Sequence, residues 1–530
     1  MENNMNRREF IKKTSAAAGA IGLSLPGSAF GASGSAGKDK PNIIFIFADQ
    51  LRSHALGCYG NEQLKTPNID RLAKEGVKFT NAISTAPVCG PFRGMLMTGN
   101  FPMKNGMVLT DHFLRNPTPY FAEACKSAGY RTGYVGKWHL DGYDRSGYIP
   151  PERRRGFEFW RALECTHSYF KSKYYHQDEK QPRTWEGFDA IAQTDAACEY
   201  IASQKTDPFC LFLSWGPPHD PYKAPAEYMK RFEGKKIKMR DNVNDFETAE
   251  KMWRECDTAV ARDGLRRARK RNRARLSDKK SNAQILKDYR GYYAAIETLD
   301  DCTGKIIAQL QKTGQLDNSI IVFTSDHGDN LGSHRQIGKQ LPFEESISVP
   351  FMVRYPKKIK SGTETDAMLA PVDIMPTVLS LAGVPCPKVD GKDISSAAMG
   401  KDADMQDAVL IMKSIPLSVN WIVNGNGAWR GVRTKRYTYA RKSSNKKPWM
   451  LFDNLSDPYQ LKNLVDDPAH ASLLKKLKKK IDELLVEAGD PEDPAVYAKL
   501  IQKERNEHGV WDRWKDLMPD CVKPGLEFGY

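Results

Sequence analysis

Cysteine, proline and arginine stand close together at Cys89-Gly90-Pro91-Phe92-Arg93. Pro91 predicts the first position of a helix, where the N–H that proline lacks has no partner to lose. That sets Cys89 at the helix N-terminus, in the positive end of the dipole. Arg93 then lies one turn on, on the same face. Two kinds of cysteine fit such a place: an exposed thiol of lowered pKa, or a small buried hydrophobe. The pentapeptide leaves both open. Elsewhere, Asp49-Gln50 offers hard oxygen ligands suited to Ca²⁺ or Mg²⁺. Lys137 and His139, two apart on an extended backbone, face one side and suit an anion. His219 follows two prolines, Asp326-His327 pairs a carboxylate with an imidazole, and His334 and Lys339 come soon after. Taken singly, each of these also reads as turn chemistry or surface charge.

The elements that carry them make the pattern specific. Asn42 to Ala48 is a continuous apolar run, predicted as a strand buried on both faces of a parallel sheet, and it stops at Asp49-Gln50. Tyr130 to Val135 runs into Gly136-Lys137-Trp138-His139. Phe209 to Trp215 runs into Pro217-Pro218-His219-Asp220, and Ser319 to Thr324 into Ser325-Asp326-His327. Four strands of one parallel sheet would gather these tails on a single rim, where open α/β sheets bind ligands. A fifth apolar run, Val349 to Arg354, carries no such tail.

In order and type these residues resemble the formylglycine-dependent (type I) sulfatases of the alkaline phosphatase-like superfamily. The likeness rests on the C-x-P-x-R core at Cys89, Asp49-Gln50, Gly136-Lys137-Trp138-His139, Pro218-His219, Ser325-Asp326-His327-Gly328 and Gly338-Lys339. It extends to Val372-Asp373-Ile374-Met375-Pro376-Thr377 and to Leu451 through Pro458. Phe92 stands where the family usually has a small residue, Gln50 where a second aspartate is frequent, and His327 where asparagine is frequent. The resemblance implies that a maturase oxidises Cys89 to formylglycine, whose hydrate is the nucleophile. One hydroxyl of that hydrate would lie on a metal, Ca²⁺ rather than Mg²⁺, held with Asp49, Gln50, Asp326 and His327. It also implies that Arg93 holds the hydrate, that Lys137 and Lys339 grip the sulfate, and that His219 protonates the leaving oxygen. His139 would take a proton from the second hydroxyl, and His334 is a further candidate substrate contact.

The implied fold is α/β: a large, mostly parallel sheet flanked by helices, with a smaller C-terminal subdomain of antiparallel sheet plus helix. Residues 38–395 are expected to form the catalytic domain and 396–530 the subdomain. There, Trp429 to Thr434 and Arg436 to Tyr439 alternate as half-buried strands do, and Leu473 to Ala488 is an amphipathic helix. The first 37 residues read as a twin-arginine export signal, Asn6-Arg7-Arg8-Glu9-Phe10-Ile11-Lys12 followed by the short apolar run Ala16 to Leu25. Export to the periplasm or beyond is therefore expected, without a membrane span. Ten cysteines with no CxxC pair argue against a zinc ribbon or a disulfide scaffold, while an isolated disulfide stays open. The net charge of +15 favours polyanionic partners. Sulfated polysaccharide and nucleic acid both qualify on charge; the reading taken is a sulfated carbohydrate or polysaccharide, with nucleic acid the runner-up, since no nucleic-acid motif occurs and the export signal argues against it. The densely basic Arg262 to Lys280 reads either as a solvated face or as a contact for a polyanionic chain. Two other uses of the same rim stay open: phosphate or phosphonate ester hydrolysis, and polyanion binding without catalysis. Oligomeric state is not legible.

Overall fold

The continuous apolar strands are buried on both faces because they stand in the middle of a large sheet. In the computed structural model, residues 40–115, 118–254, 278–401, 406–414, 427–493, 496–497, 499–500 and 503 are described. The export signal and all but the last residues of the basic stretch Arg262 to Lys280 lie outside them. The larger sheet contains, in chain order, β1 (Asn42–Asp49), β2 (Val77–Ala82), β3 (Arg131–Lys137), β4 (Phe159–Leu163), β5 (Lys173–His176), β6 (Arg183–Thr184), β7 (Phe209–Pro218), β8 (Ser319–Ser325), β9 (Phe351–Arg354) and β10 (Thr363–Leu369). Its spatial order is β10-β2-β9-β8-β1-β7-β3-β4-β5-β6. The central strands β8, β1, β7, β3 and β4 are parallel, and the four whose carboxyl ends carry the polar tails, β8, β1, β7 and β3, stand side by side as expected. The fifth apolar run forms β9, which is antiparallel to both β8 and β2. An apolar run signals burial on two faces and says nothing of direction.

Alternate residues of β1 feed separate cores. Ile43, Phe45 and Phe47 pack on one face with Phe92, Leu96 and Met97 of helix α2 (Cys89–Thr98). Ile44, Ile46 and Ala48 pack on the other with Ile69 and Leu72 of α1 (Pro67–Glu75). That second face also receives Tyr289 to Leu310 of α4 (Asp278–Lys312) and Ile201 of α3 (Asp189–Ser203).

A second, antiparallel sheet holds β11 (Ala408–Lys413), β12 (Trp429–Thr434), β13 (Tyr437–Lys442) and β14 (Pro448–Asp453). Helix α5 (Ala471–Ala488) contributes Leu477, Ile481 and Leu484 to its core. That core also takes in Ile83, Met95, Phe343, Ile347 and Met368, which lie in the first 395 residues. The strands expected to be half-buried are buried almost throughout. Their charged residues are paired inside: Arg430 with Asp490 at 2.6 Å, and Arg433 with Glu344 at 2.7 Å. Polar alternation here marks internal ion pairs, a buried use of arginine that its planar fork favours. The eight described cysteines are all free. No helix among the described residues is long and apolar enough to cross a membrane.

Candidate active site

Asp49 ends β1, and the chain then turns through a left-handed residue, Gln50 at φ 68°. Successive residues of a strand point to opposite faces, and this turn is what brings both side chains to one place. The turn is held by three bonds. The Gln50 N–H donates to Asp326 Oδ1 at 3.0 Å, Leu51 N–H to Ser325 Oγ at 2.8 Å, and Tyr292 Oη to the Gln50 carbonyl at 2.7 Å. The Gln50 amide nitrogen donates to Asp329 at 2.7 Å, so its oxygen is the atom left to accept Lys339 Nζ at 2.9 Å.

Cys89 is the first residue of α2, and Pro91 is the third rather than the first. The correction is small physically, because every N–H of the first turn lacks an intrahelical acceptor. Around the Cys89 sulfur stand Asp49 Oδ1 at 3.5 Å, His327 Nε2 at 3.4 Å, Lys339 Nζ at 3.4 Å and Lys137 Nζ at 3.7 Å. Cys89 is thus buried rather than exposed, yet it stands at the centre of a polar cluster and not among apolar side chains alone. Lys137 Nζ lies 2.6 Å from Asp49 Oδ2. β3 can bring it there because Gly136, at φ 107°, approaches β7 so closely that a Cβ would lie 2.0 Å from the Ser214 carbonyl oxygen. Arg93, one turn along α2, donates from Nη1 to the Lys137 carbonyl at 2.6 Å and to Ser214 Oγ at 2.7 Å. Its Nη2 faces Asp326 at 3.4 Å.

Asp49, Cys89, Asp326 and His327 are all buried, and one ligand atom from each lies within 4.8 Å of the others. His327 Nδ1 meets the Gly328 carbonyl at 2.9 Å, which assigns the proton to Nδ1 and leaves the Nε2 lone pair for the cluster. Two carboxylates, an imidazole nitrogen and the oriented oxygen of Gln50 make a donor set that fits a divalent cation. Burial alone would raise the pKa of Asp49, but Lys137, His219, Lys339 and His327 hold it well below the usual carboxylate range.

The sequence expectation sets Lys137 and His139 on one side of an extended backbone, and the chain does not keep that geometry beyond Lys137. β3 ends at Lys137, and His139 has φ 60°, so strand alternation no longer applies. His139 Nε2 meets Asp111 Oδ1 at 2.9 Å, and Arg145 grips the same carboxylate at 2.9 and 2.7 Å. Burial and Lys137 oppose charge on His139, but Cys165 and Asp111 override them and raise its pKa well above normal. Cys165 is correspondingly lowered to about 6, against its own burial, by His139 and Lys137. His219 is buried, with Nδ1 2.7 Å from the Asp220 carbonyl. Burial, then Lys339, His167 and Lys137, push its pKa well below normal, with Asp49 opposing them.

His334 does not join this group and is a correction. Its Nδ1 pairs with Asp245 at 2.6 Å, its Nε2 lies 3.1 Å from Asn242 Nδ2, and its ring stacks on Phe343 at 3.9 Å. Both ring nitrogens are spent inside the protein, which removes it as a substrate contact. Sequence reasoning passed over Asp111, Cys165 and His167. They sit in irregular segments, where no periodicity or strand end draws attention to them.

Residues 41–384 match the family model described as Sulfatase, and 332–487 the one described as N-sulphoglucosamine sulphohydrolase, C-terminal. The chain is 36% identical over 458 residues to an ulvan-active sulfatase of Formosa agariphila, covering 85% of this chain and 82% of that one. It is 28% identical to an endo-4-O-sulfatase of Bacteroides thetaiotaomicron, covering 86% and 93%. A solved structure in complex with its substrate, D-glucosamine-2-N,6-O-disulfate, superposes with a TM-score of 0.72 at 26% identity, covering 86% of this chain and 99% of that one.

Proposed function

The chain belongs to the sulfatase family, and from that premise, which makes it a sulfuric ester hydrolase, we propose that it cleaves sulfate esters of a carbohydrate. The printed activities of its relatives and the basic net charge of +15 support a sulfated glycan as substrate. One observation carries the mechanism: Cys89 lies between a cluster of cation ligands and two lysines, Lys137 and Lys339. In our reading a formylglycine-generating maturase converts Cys89, and the hydrated aldehyde supplies both the attacking hydroxyl and a second one that later expels sulfate. The cation, which we assign as calcium from the oxygen-rich donor set, would be held by Asp49, Gln50, Asp326, His327 and residue 89. Bound there, such a cation would supply a lowered pKa for the attacking hydroxyl.

The remaining work belongs to the side chains. Lys137 and Lys339 bind the sulfate oxygens and stabilise the charge that grows on them. Arg93 fixes residue 89 against both carboxylates. His219 gives its proton to the leaving oxygen from Nε2, since Nδ1 is committed to the Asp220 carbonyl. At rest it is neutral, and the negative charge of the arriving ester offsets the lysines and favours its protonation. His139 is charged at rest and must first lose its proton to act as a base, which puts that step on the alkaline side. The twin-arginine pattern supports export to the periplasm or beyond, after folding and maturation inside the cell.

The test is inorganic sulfate release from a panel of sulfated saccharides by protein co-expressed with the maturase and supplied with Ca²⁺. The parent should release sulfate, a chelator should stop it, and Cys89→Ala should fall to background. Equal release by Cys89→Ala would contradict the mechanism. Faster turnover of phosphate or phosphonate esters than of any sulfate ester would favour that alternative.

A further inference from the structure

Beside His219 lies a second imidazole that the chemistry above does not use. His167 sits in the segment between β4 and β5, and its ring stacks on His219 with centroids 4.2 Å apart and planes 18° apart. The pairing is built. Tyr169, two residues on, donates from Oη to the His219 carbonyl at 2.7 Å and reaches the carbonyls of Gly216 and Asp220 at 3.3 Å. A Cβ on Gly216 would meet the Tyr169 ring at 2.8 Å, so that close fit depends on glycine there. The far end of the segment is anchored too: the Asp189 N–H donates to the Tyr169 carbonyl at 2.8 Å, and Ser172 Oγ to Asp189 at 3.0 Å.

Among the described residues, neither His167 Nε2 nor His219 Nε2 meets a hydrogen-bond partner, and both atoms are buried. A buried polar atom without a partner costs free energy, so two on adjacent rings mark a place for a ligand. Both rings lie in the field of the same groups, Lys137, Lys339 and Asp49. Burial and then Lys137 push His167 well below the usual histidine range. Two neutral rings stack without repulsion.

We propose that His167 contacts substrate, hydrogen-bonding through Nε2 to a free hydroxyl on the sugar carbon next to the sulfated one. This rests on the glycan reading above and sharpens it. With His219 facing the leaving oxygen, the ring stacked on it meets the neighbouring position of the leaving group. A hydroxyl both donates and accepts, so it satisfies either tautomer of His167. A second sulfate only accepts, and a hydrogen atom does neither. The site therefore selects a sugar with a free hydroxyl beside the ester.

The test compares parent and His167→Phe, which keeps an aromatic ring against His219, on three substrates. These are a sulfated saccharide that the parent turns over, its analogue deoxygenated at the neighbouring carbon, and 4-nitrophenyl sulfate. His167→Phe should lose roughly tenfold more in kcat/KM on the saccharide than on the aryl ester. It should show no such extra loss on the deoxy analogue, which the parent already handles worse. Equal losses on all three would overturn the proposal and make His167 a support for His219. No loss on the saccharide would overturn it as well. No sulfate release by the matured parent from any saccharide would instead remove the glycan reading and this inference with it. His167→Gln, which can still hydrogen-bond, should recover part of the discrimination and controls for folding.

Discussion

On one side of Cys89 the site is made by adjacent strands; on the other it is made by turns. Asp49 and the Asp326-His327 pair leave β1 and β8, which run parallel in unbroken register from Asn42 beside Ser319 to Ala48 beside Ser325. The distance between their ends is therefore set by the sheet itself. His139, His167 and His219 hang from the segments after β3, β4 and β7. Their positions depend on fixings that reach across the chain: Asp111 on His139, Tyr169 on His219, Asp189 on the segment behind Tyr169. The strand side fixes what every sulfate ester presents, a sulfur with charged oxygens. In our proposal His219 and His167, on the turn side, meet the leaving alcohol, which differs between substrates, and turns tolerate change where strands do not.

Three substitutions test that division, each at a residue that orients a functional group. The largest effect is expected at Asp329→Asn on the strand side. Among the described residues Asp329 is what accepts from the Gln50 amide nitrogen, and an asparagine there presents its own N–H and turns the Gln50 oxygen away. Apparent calcium affinity, read as the Ca²⁺ dependence of sulfate release, should fall about 10- to 100-fold. Unchanged calcium dependence would dissolve the distinction.

The next effect is at Asp111→Asn on the turn side. Asp111 holds the proton on His139, so its loss lowers the pKa of His139. Since the ring must be neutral to accept a proton, the rising limb of the kcat–pH profile should move to lower pH. Maximal kcat should drop roughly tenfold as the ring loses its alignment, while calcium dependence stays as in the parent. A limb that moves upward would contradict the account.

The smallest effect concerns stability. Burial raises Asp189 to about 7 from its ordinary 3.8. Between those values the folded protein binds a proton that the unfolded chain does not, so stability is present at low pH and is lost as pH rises through that window. Asp189→Asn keeps an oxygen for Ser172 and removes the titration. Its melting temperature should fall less than the parent's between about pH 4 and 7; parallel curves would contradict the shift.

The same division explains what could be read in the sequence. Asp49, Lys137 and Asp326 were legible because apolar runs predict buried strands, and strand ends of a parallel sheet share a rim. Gln50 and His139 followed from their neighbours, but their left-handed backbones hid that one turns into the site and that the other leaves the strand alternation and pairs with Asp111. His334 looked like Lys339 in context, and only the fold shows its ring spent on Asp245 and Asn242. Nothing local marks His167, since its meaning lies in a ring 52 residues further along the chain. The buried arginines of the second sheet were misread for a related reason. Alternation reports polarity, and whether a polar residue faces water or a buried carboxylate such as Asp490 depends on chain far away.

The central claim is that residue 89 does the chemistry as formylglycine in the setting of Asp49, Asp326, His327, Lys137 and Lys339. The direct measurement is the mass of the peptide containing Cys89, beside sulfate release, across preparations made with increasing amounts of the maturase. Activity per molecule should rise in proportion to the fraction carrying the aldehyde and extrapolate to zero when all of it is cysteine. Full activity from protein in which residue 89 is still cysteine would contradict the account.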